Sequence, residues 1–166
     1  MKGIRYAEGL KVLPILAPQN MTTSAVSSGE VWLREAQWVT FLVPFGAFTS
    51  DSTDVVVITV ESSTSNSTAA TDEAIAFNYR LSSAVDTDSM GAITAATSDG
   101  VTLGATSDDN KCLIIDVDPA YVAAQDTDAQ YLRVVATPSD AVAGLQIAAI
   151  AVIEPRYPGN SMNSAT

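Results

Sequence analysis

The apolar residues of this chain fall in short runs, either alternating or continuous. Clusters of Ser, Thr, Asp and Gly cut these runs apart, and no long stretch keeps a helical spacing. A side-chain period of two, bounded by turn-forming residues, belongs to β-strands, so the pattern restricts the chain to an all-β architecture. Residues 54–61 are the clearest case, because Val55, Val56, Val57, Ile58 and Val60 fit a pleated, half-buried surface. Residues 38–45 carry Trp38, Thr40, Leu42 and Pro44 on one face and Val39, Phe41, Val43 and Phe45 on the other. Both faces of that run are largely apolar, which implies burial on two sides or a subunit contact.

Further strands are expected at 29–33, 73–81, 91–95, 100–103, 111–118, 131–136 and 145–154. In 73–81, Ala74, Ala76, Asn78 and Arg80 oppose Ile75, Phe77, Tyr79 and Leu81. Asp118 followed by Pro119 suits the start of one helical turn, since aspartate caps and proline fits the first helical position. The spacing gives an antiparallel β-sandwich or a jelly-roll-like barrel of about eight short strands.

Residues 1–25 differ from the rest. The segment from Leu10 to Pro18 is apolar but interrupted by Pro14 and Pro18, and proline neither donates to a ladder nor sits in a helix interior. It reads as an extended N-terminal arm (1–25) lying against a sandwich domain (26–157), with a small, polar tail at 158–166. Its apolar side chains Leu10, Val12, Leu13, Ile15 and Leu16 need covering by the same domain or a neighbour. Together with Trp38, Phe41 and Phe45 they are the candidate interface residues.

Composition narrows the chemistry. The 166 residues include 8 Lys and Arg against 19 Asp and Glu, a net charge of −11, and no His. A His-based triad and a His-ligated zinc are therefore impossible. So acidic a chain is not expected to track nucleic-acid phosphates. The N-terminal residues are broken by charges, and the most apolar stretch, 141–153, is about 13 residues against the ~20 needed to span a bilayer. The expectation is assembly in a cytoplasm, without membrane or export. Cys112, the single cysteine, reads as a small hydrophobe in a strand.

Asp-x-Asp occurs at Asp86/Asp88, Asp116/Asp118 and Asp126/Asp128. Calcium takes several hard oxygens from irregular backbone, so Asp116, Asp118, Asp126 and Asp128, flanking one connection, are the candidates if calcium binds. Aspartate is also the ordinary turn and strand-end residue, which is the plainer reading. Paired acids can serve a glycosidase, but that chemistry wants one acid in an apolar pocket among sugar-stacking aromatics, and aromatics are only 7% of the chain. No cofactor site or catalytic set is expected. Arg34, Arg80, Arg133 and Arg156 read as solvated strand positions or as partners for carboxylates on another subunit.

Several segments together carry a resemblance: Glu8-Gly9-Leu10-Lys11 leading into the proline-broken apolar arm, then Ala74-Ile75-Ala76-Phe77-Asn78-Tyr79-Arg80, Asp86-Thr87-Asp88-Ser89-Met90, Leu113-Ile114-Ile115-Asp116-Val117-Asp118, Tyr131-Leu132-Arg133-Val134 and Glu154-Pro155-Arg156-Tyr157-Pro158. The chain resembles small β-rich virion proteins of tailed bacteriophages that coat the capsid as decoration or cement proteins. That resemblance implies a non-enzymatic protein on the capsid surface. Its partners would be the major capsid protein and further copies of itself, as a homotrimer. The alternatives are a tail or fibre module that recognises a host-surface glycan, and an enzyme that cleaves polysaccharide with two acids. The glycan module predicts a cluster of exposed aromatics with calcium, and glycan binding by the isolated protein.

Overall fold

A computed structural model describes residues 9–48, 54–66, 72–104, 107–139 and 145–157. Two antiparallel sheets pack face to face as a β-sandwich. The strands are β1 (Lys11–Asn20), β2 (Val26–Ser27), β3 (Val31–Trp32), β4 (Ala36–Pro44), β5 (Val55–Ser63), β6 (Asp72–Ile75), β7 (Phe77–Leu81), β8 (Thr94–Ala96), β9 (Val101–Gly104), β10 (Cys112–Val117), β11 (Tyr131–Pro138) and β12 (Gln146–Pro155). One short helix, α1 (Pro119–Gln125), links β10 to β11. The first sheet has the order β1-β12-β4-β10-β7-β8. The second runs β2-β11-β5-β6, with β3 also on β11 and β9 also on β5. No helix among the described residues is long and apolar enough to cross a membrane.

The core lies between the sheets and follows the alternation of the strands. Val39, Phe41 and Val43 of β4, Leu113, Ile115 and Val117 of β10, and Ile147, Ala149, Ala151 and Ile153 of β12 point inward from the first sheet. They meet Val56, Ile58 and Val60 of β5 and Leu132, Val134 and Ala136 of β11. Each fully buried Val, Leu, Ile or Phe contributes about 1.5–3 kcal/mol relative to exposure, so the period-two pattern is also the main source of stability.

The strands depart from the sequence expectation in two places. Residues 73–81 are not one strand: β6 belongs to the second sheet and β7 to the first. The chain changes sheets at Ala76, whose backbone leaves both ladders there. Its N–H donates to Gln125 Oε1 at 2.7 Å, and its carbonyl accepts from Gln125 Nε2 at 3.2 Å. A side-chain amide thus completes the backbone pairing that the crossover would otherwise leave open. Secondly, 29–33 is only a two-residue strand followed by a 3-10 turn over Leu33–Glu35.

The N-terminal arm also departs from expectation. Residues 11–20 are extended, but they form the edge strand of the first sheet, paired with β12 from Lys11↔Ile153 to Asn20↔Gln146. Proline is tolerated at an edge, where one side of the strand needs no ladder donor. The register slips at Ile15, between Pro14 and Leu16, and the Ile15 carbonyl accepts from Gly29 N–H at 2.7 Å. That bond ties the edge to the segment entering the second sheet. Lys11–Asn20, read as part of the arm, therefore belong to the sandwich. Residues 1–8 and the tail 158–166 lie outside the described residues.

Helix α1 forms where the sequence places it. Asp118 is its N-cap, accepting from Ala120 N–H at 2.8 Å, and Pro119 occupies the first turn. At the other end Asp126 accepts from Ser62 Oγ at 2.7 Å, and Ser62 is fully buried in β5. The Asp118 cap, the Gln125 clamp and the Asp126 tether fix the helix across the open end of the sandwich.

Candidate functional site

The two outer faces of the sandwich differ in chemistry. On the second sheet, β5 and β11 place Glu61 opposite Arg133. The Arg133 guanidinium donates to Glu61 Oε2 at 3.0 and 2.8 Å and also pairs with Asp72. Glu30 lies close to the same cation. Its pKa is nonetheless raised, chiefly because burial disfavours its charge; Arg133 pulls it back and Asp72 pushes it further up. Burial works to lower the pKa of Arg133, but hydrogen bonding to Glu61 and the charges of Asp72, Glu61 and Glu30 hold it above its ordinary value. Arg133, Glu61, Asp72 and Glu30 thus form an ionic cluster on one part of this face, and one buried Glu30 carboxylate oxygen has no hydrogen-bond partner among the described residues.

The outer face of the first sheet is apolar. Register places Pro14 opposite Ile150, Ile150 opposite Leu42, and Leu42 opposite Ile114. One row of four apolar side chains therefore crosses β1, β12, β4 and β10 on the side away from the core. Pro14 is exposed and the other three are half-buried by their neighbours. Val12, 50% exposed, and Val152 extend the patch by one rung. The row ends at Arg80 on β7, opposite Ile114.

Along the rung of Val12 and Val152, past Val152, the face turns polar. Val152, Thr40, Asp116 and Asn78 form the next row. Asp116 Oδ1 accepts from Thr40 Oγ1 at 2.8 Å and from the Trp38 indole at 3.5 Å. Trp38, 40% exposed, and Tyr121 of α1, 51% exposed, both line a hollow of about 250 Å³ that also takes in Asn78, Asp116 and Asp118. Beyond Tyr121 lies a second, wider hollow of about 600 Å³ between α1 and the β6 and β8 edges.

The candidate interface residues separate. Val12 and Trp38 are exposed. Leu10 is half-buried, and Leu13, Ile15 and Leu16 are half-buried against the chain's own core. Phe41 and Phe45 correct the expectation: at 0% and 5% exposure they are core residues and offer no surface to a neighbour. The half-polar rungs of β4, Leu42 and Thr40, take that outward position instead. Both faces of 38–45 are apolar in sequence, and only the sheet order tells which of them the second sheet covers.

The calcium candidates are also corrected. Asp116 and Asp118 lie at the start of α1 and Asp126 and Asp128 beyond its end, so the helix separates the pairs by about 10 Å at 1.5 Å per residue. Asp118 and Asp126 are engaged in the cap and the Ser62 tether, and Asp126 Oδ1 also accepts from Asp128 N–H at 3.1 Å. Among the described residues no three metal-ligating side chains converge. Cys112 is half-buried, and burial pushes its thiol pKa up, away from reactivity.

Of the arginines, Arg133 is held within the chain, and Arg34 sits over the Trp32 ring with Cζ 5.8 Å from its centroid. Arg156 donates to the Ala36 carbonyl at 3.5 Å. What sequence reasoning missed is the meeting of Trp38 with Tyr121. They are distant in the chain, and only the β4–β10 pairing and the seat of α1 bring them together. Comparison with protein-family models, with curated proteins and with solved structures returns no match.

Proposed function

We propose that the chain is a non-enzymatic virion structural protein that binds the outer surface of a phage capsid and stabilises it, as a decoration or cement protein acting as a homotrimer. The observation that carries this reading is the apolar row Pro14–Ile150–Leu42–Ile114 on the solvent side of the first sheet. A sheet apolar on both faces is ordinarily covered on both. Here the chain's own second sheet covers only one. The patch includes β1, so the segment read as a contact arm contributes through Val12 and Pro14 rather than through a free extension.

The ionic cluster on the second sheet suits the opposite side of such a protein, the one turned to solvent. Self-pairing of Arg133 with Glu61 and Asp72 leaves it little unmet demand for a partner. A trimer about a symmetry axis would set three such patches side by side toward the capsid and leave the opposite faces to solvent. Light scattering on the purified protein tests the oligomeric part. The expected mass is three times the 17.3 kDa chain. A monomeric wild type would remove the trimer from the proposal.

A further inference from the structure

The hollow at the α1 end of the first sheet does not belong to the apolar row, and its chemistry differs. We propose that it is a binding groove for a neutral oligosaccharide, with Trp38 and Tyr121 as stacking platforms and Asn78, Asp116 and Asp118 as hydroxyl partners. The inference does not rest on the capsid reading, because a virion protein of any position could carry such a groove.

Three observations support it. First, the platforms are aromatic rings left in solvent. Six large apolar or aromatic side chains are exposed among the described residues, and two of them, both aromatic, line one hollow of about 250 Å³. A sugar ring offers a flat array of C–H groups on one face and hydroxyls at its rim, and an exposed aromatic with polar groups beside it matches both parts.

Second, the polar atoms at the rim are held in place and still have capacity. Asp116 is fixed through one oxygen by Thr40 and Trp38, and Asp118 is fixed through one oxygen by Ala120 N–H. Their second oxygens, the Asn78 amide and the Tyr121 hydroxyl have no hydrogen-bond partner among the described residues. Fixed carboxylates with a spare oxygen are good acceptors for pairs of vicinal hydroxyls. The Asp116 contact also orients the indole that forms the platform.

Third, the hollow continues. It shares Ala76 and Tyr121 with the wider hollow of about 600 Å³, where Glu73, Thr97 and Ser98 add polar groups. Tyr121 lines both, so a ligand of several residues could run past it. Acidic groups line both hollows and no Lys or Arg does. With the chain at −11, uronic and sialic acids would be repelled, which is why the ligand class is neutral.

Intrinsic fluorescence tests the proposal. Trp32→Phe leaves Trp38 as the sole tryptophan, and this variant is titrated with maltohexaose, cellohexaose and N-acetylchitohexaose, with oligogalacturonate as the acidic comparison. A saturable change in Trp38 emission with at least one neutral oligosaccharide is expected. Tyr121→Ala and Asn78→Ala, both exposed sites that leave the circular dichroism unchanged, should each weaken it at least tenfold. Isothermal titration with unsubstituted protein should give the same ligand preference. Failure of every neutral probe to saturate would overturn the inference. So would saturation by oligogalacturonate alone, or undiminished binding in the Tyr121 variant.

Discussion

Replacing Gln125 by alanine probes how the chain changes sheets without leaving its backbone unpaired. Gln125 is itself exposed, so the substitution removes almost no buried apolar area. What it removes is a pair of hydrogen bonds, at 2.7 Å to the Ala76 N–H and at 3.2 Å from the side-chain amide to the Ala76 carbonyl. A typical bond contributes about 1 kcal/mol net, and leaving a buried donor unmet costs about 1–3 kcal/mol. Ala76 is half-buried, so water can replace part of the loss. Alanine's better helix propensity returns a few tenths (~0.3 kcal/mol).

The net expectation for Gln125→Ala is a destabilisation of about 1.5 kcal/mol, or a fall in Tm of about 3–6 °C for a chain of this size. Urea unfolding should give the same figure, with the dependence on urea unchanged. Gln125→Glu keeps an acceptor for the N–H and loses the donor, so it should recover about half of the loss. Hydrogen exchange at the Ala76 amide gives the local reading: protection should fall in the alanine variant and persist in the glutamate one. Unaltered exchange and an unaltered Tm in Gln125→Ala would refute the clamp.

Three further outcomes follow from the same geometry. Gly100 has φ +84°, and a Cβ there would lie 2.4 Å from the Ile58 carbonyl oxygen; Gly100→Ala should cost about 2–4 kcal/mol by thermal unfolding. Arg133→Ala leaves Glu30, Glu61 and Asp72 facing one another. Because the paired side chains are about one-fifth exposed, the loss should be moderate, about 1–3 kcal/mol, and partly relieved by added salt. Glu30 has its pKa raised in the folded state by burial, so the folded protein holds that proton more tightly than the unfolded chain does. Its contribution to stability therefore declines as pH rises from 4.5 through the raised value, and Glu30→Gln should flatten that part of a Tm-against-pH profile.

Much of the fold was legible because period-two alternation and burial coincide. In 145–154 the residues Leu145, Ile147, Ala149, Ala151 and Ile153 share one face, and all five are buried. The cap at Asp118 was legible too, since capping is a local interaction. The split at Ala76 was not. An unbroken alternation continues straight through it, and only the remote Gln125 marks the crossing. The arm's place was half legible: two prolines exclude a central strand, but nothing local distinguishes an edge strand from a free extension. The candidate surfaces were the least legible. Phe41 and Leu42 are neighbours of similar hydropathy, and their fates, core and outer face, depend on which side the second sheet packs.

The most direct test of the capsid reading uses particles made from the encoding genome with this gene deleted, mixed with purified protein and sedimented. The account predicts saturable co-sedimentation and a capsid that withstands higher temperature. Leu42→Glu and Ile150→Glu, placed on the solvent side of the first sheet, should both abolish binding while keeping the wild-type fold. Absence of binding by the wild type, or full binding by both variants, would contradict it.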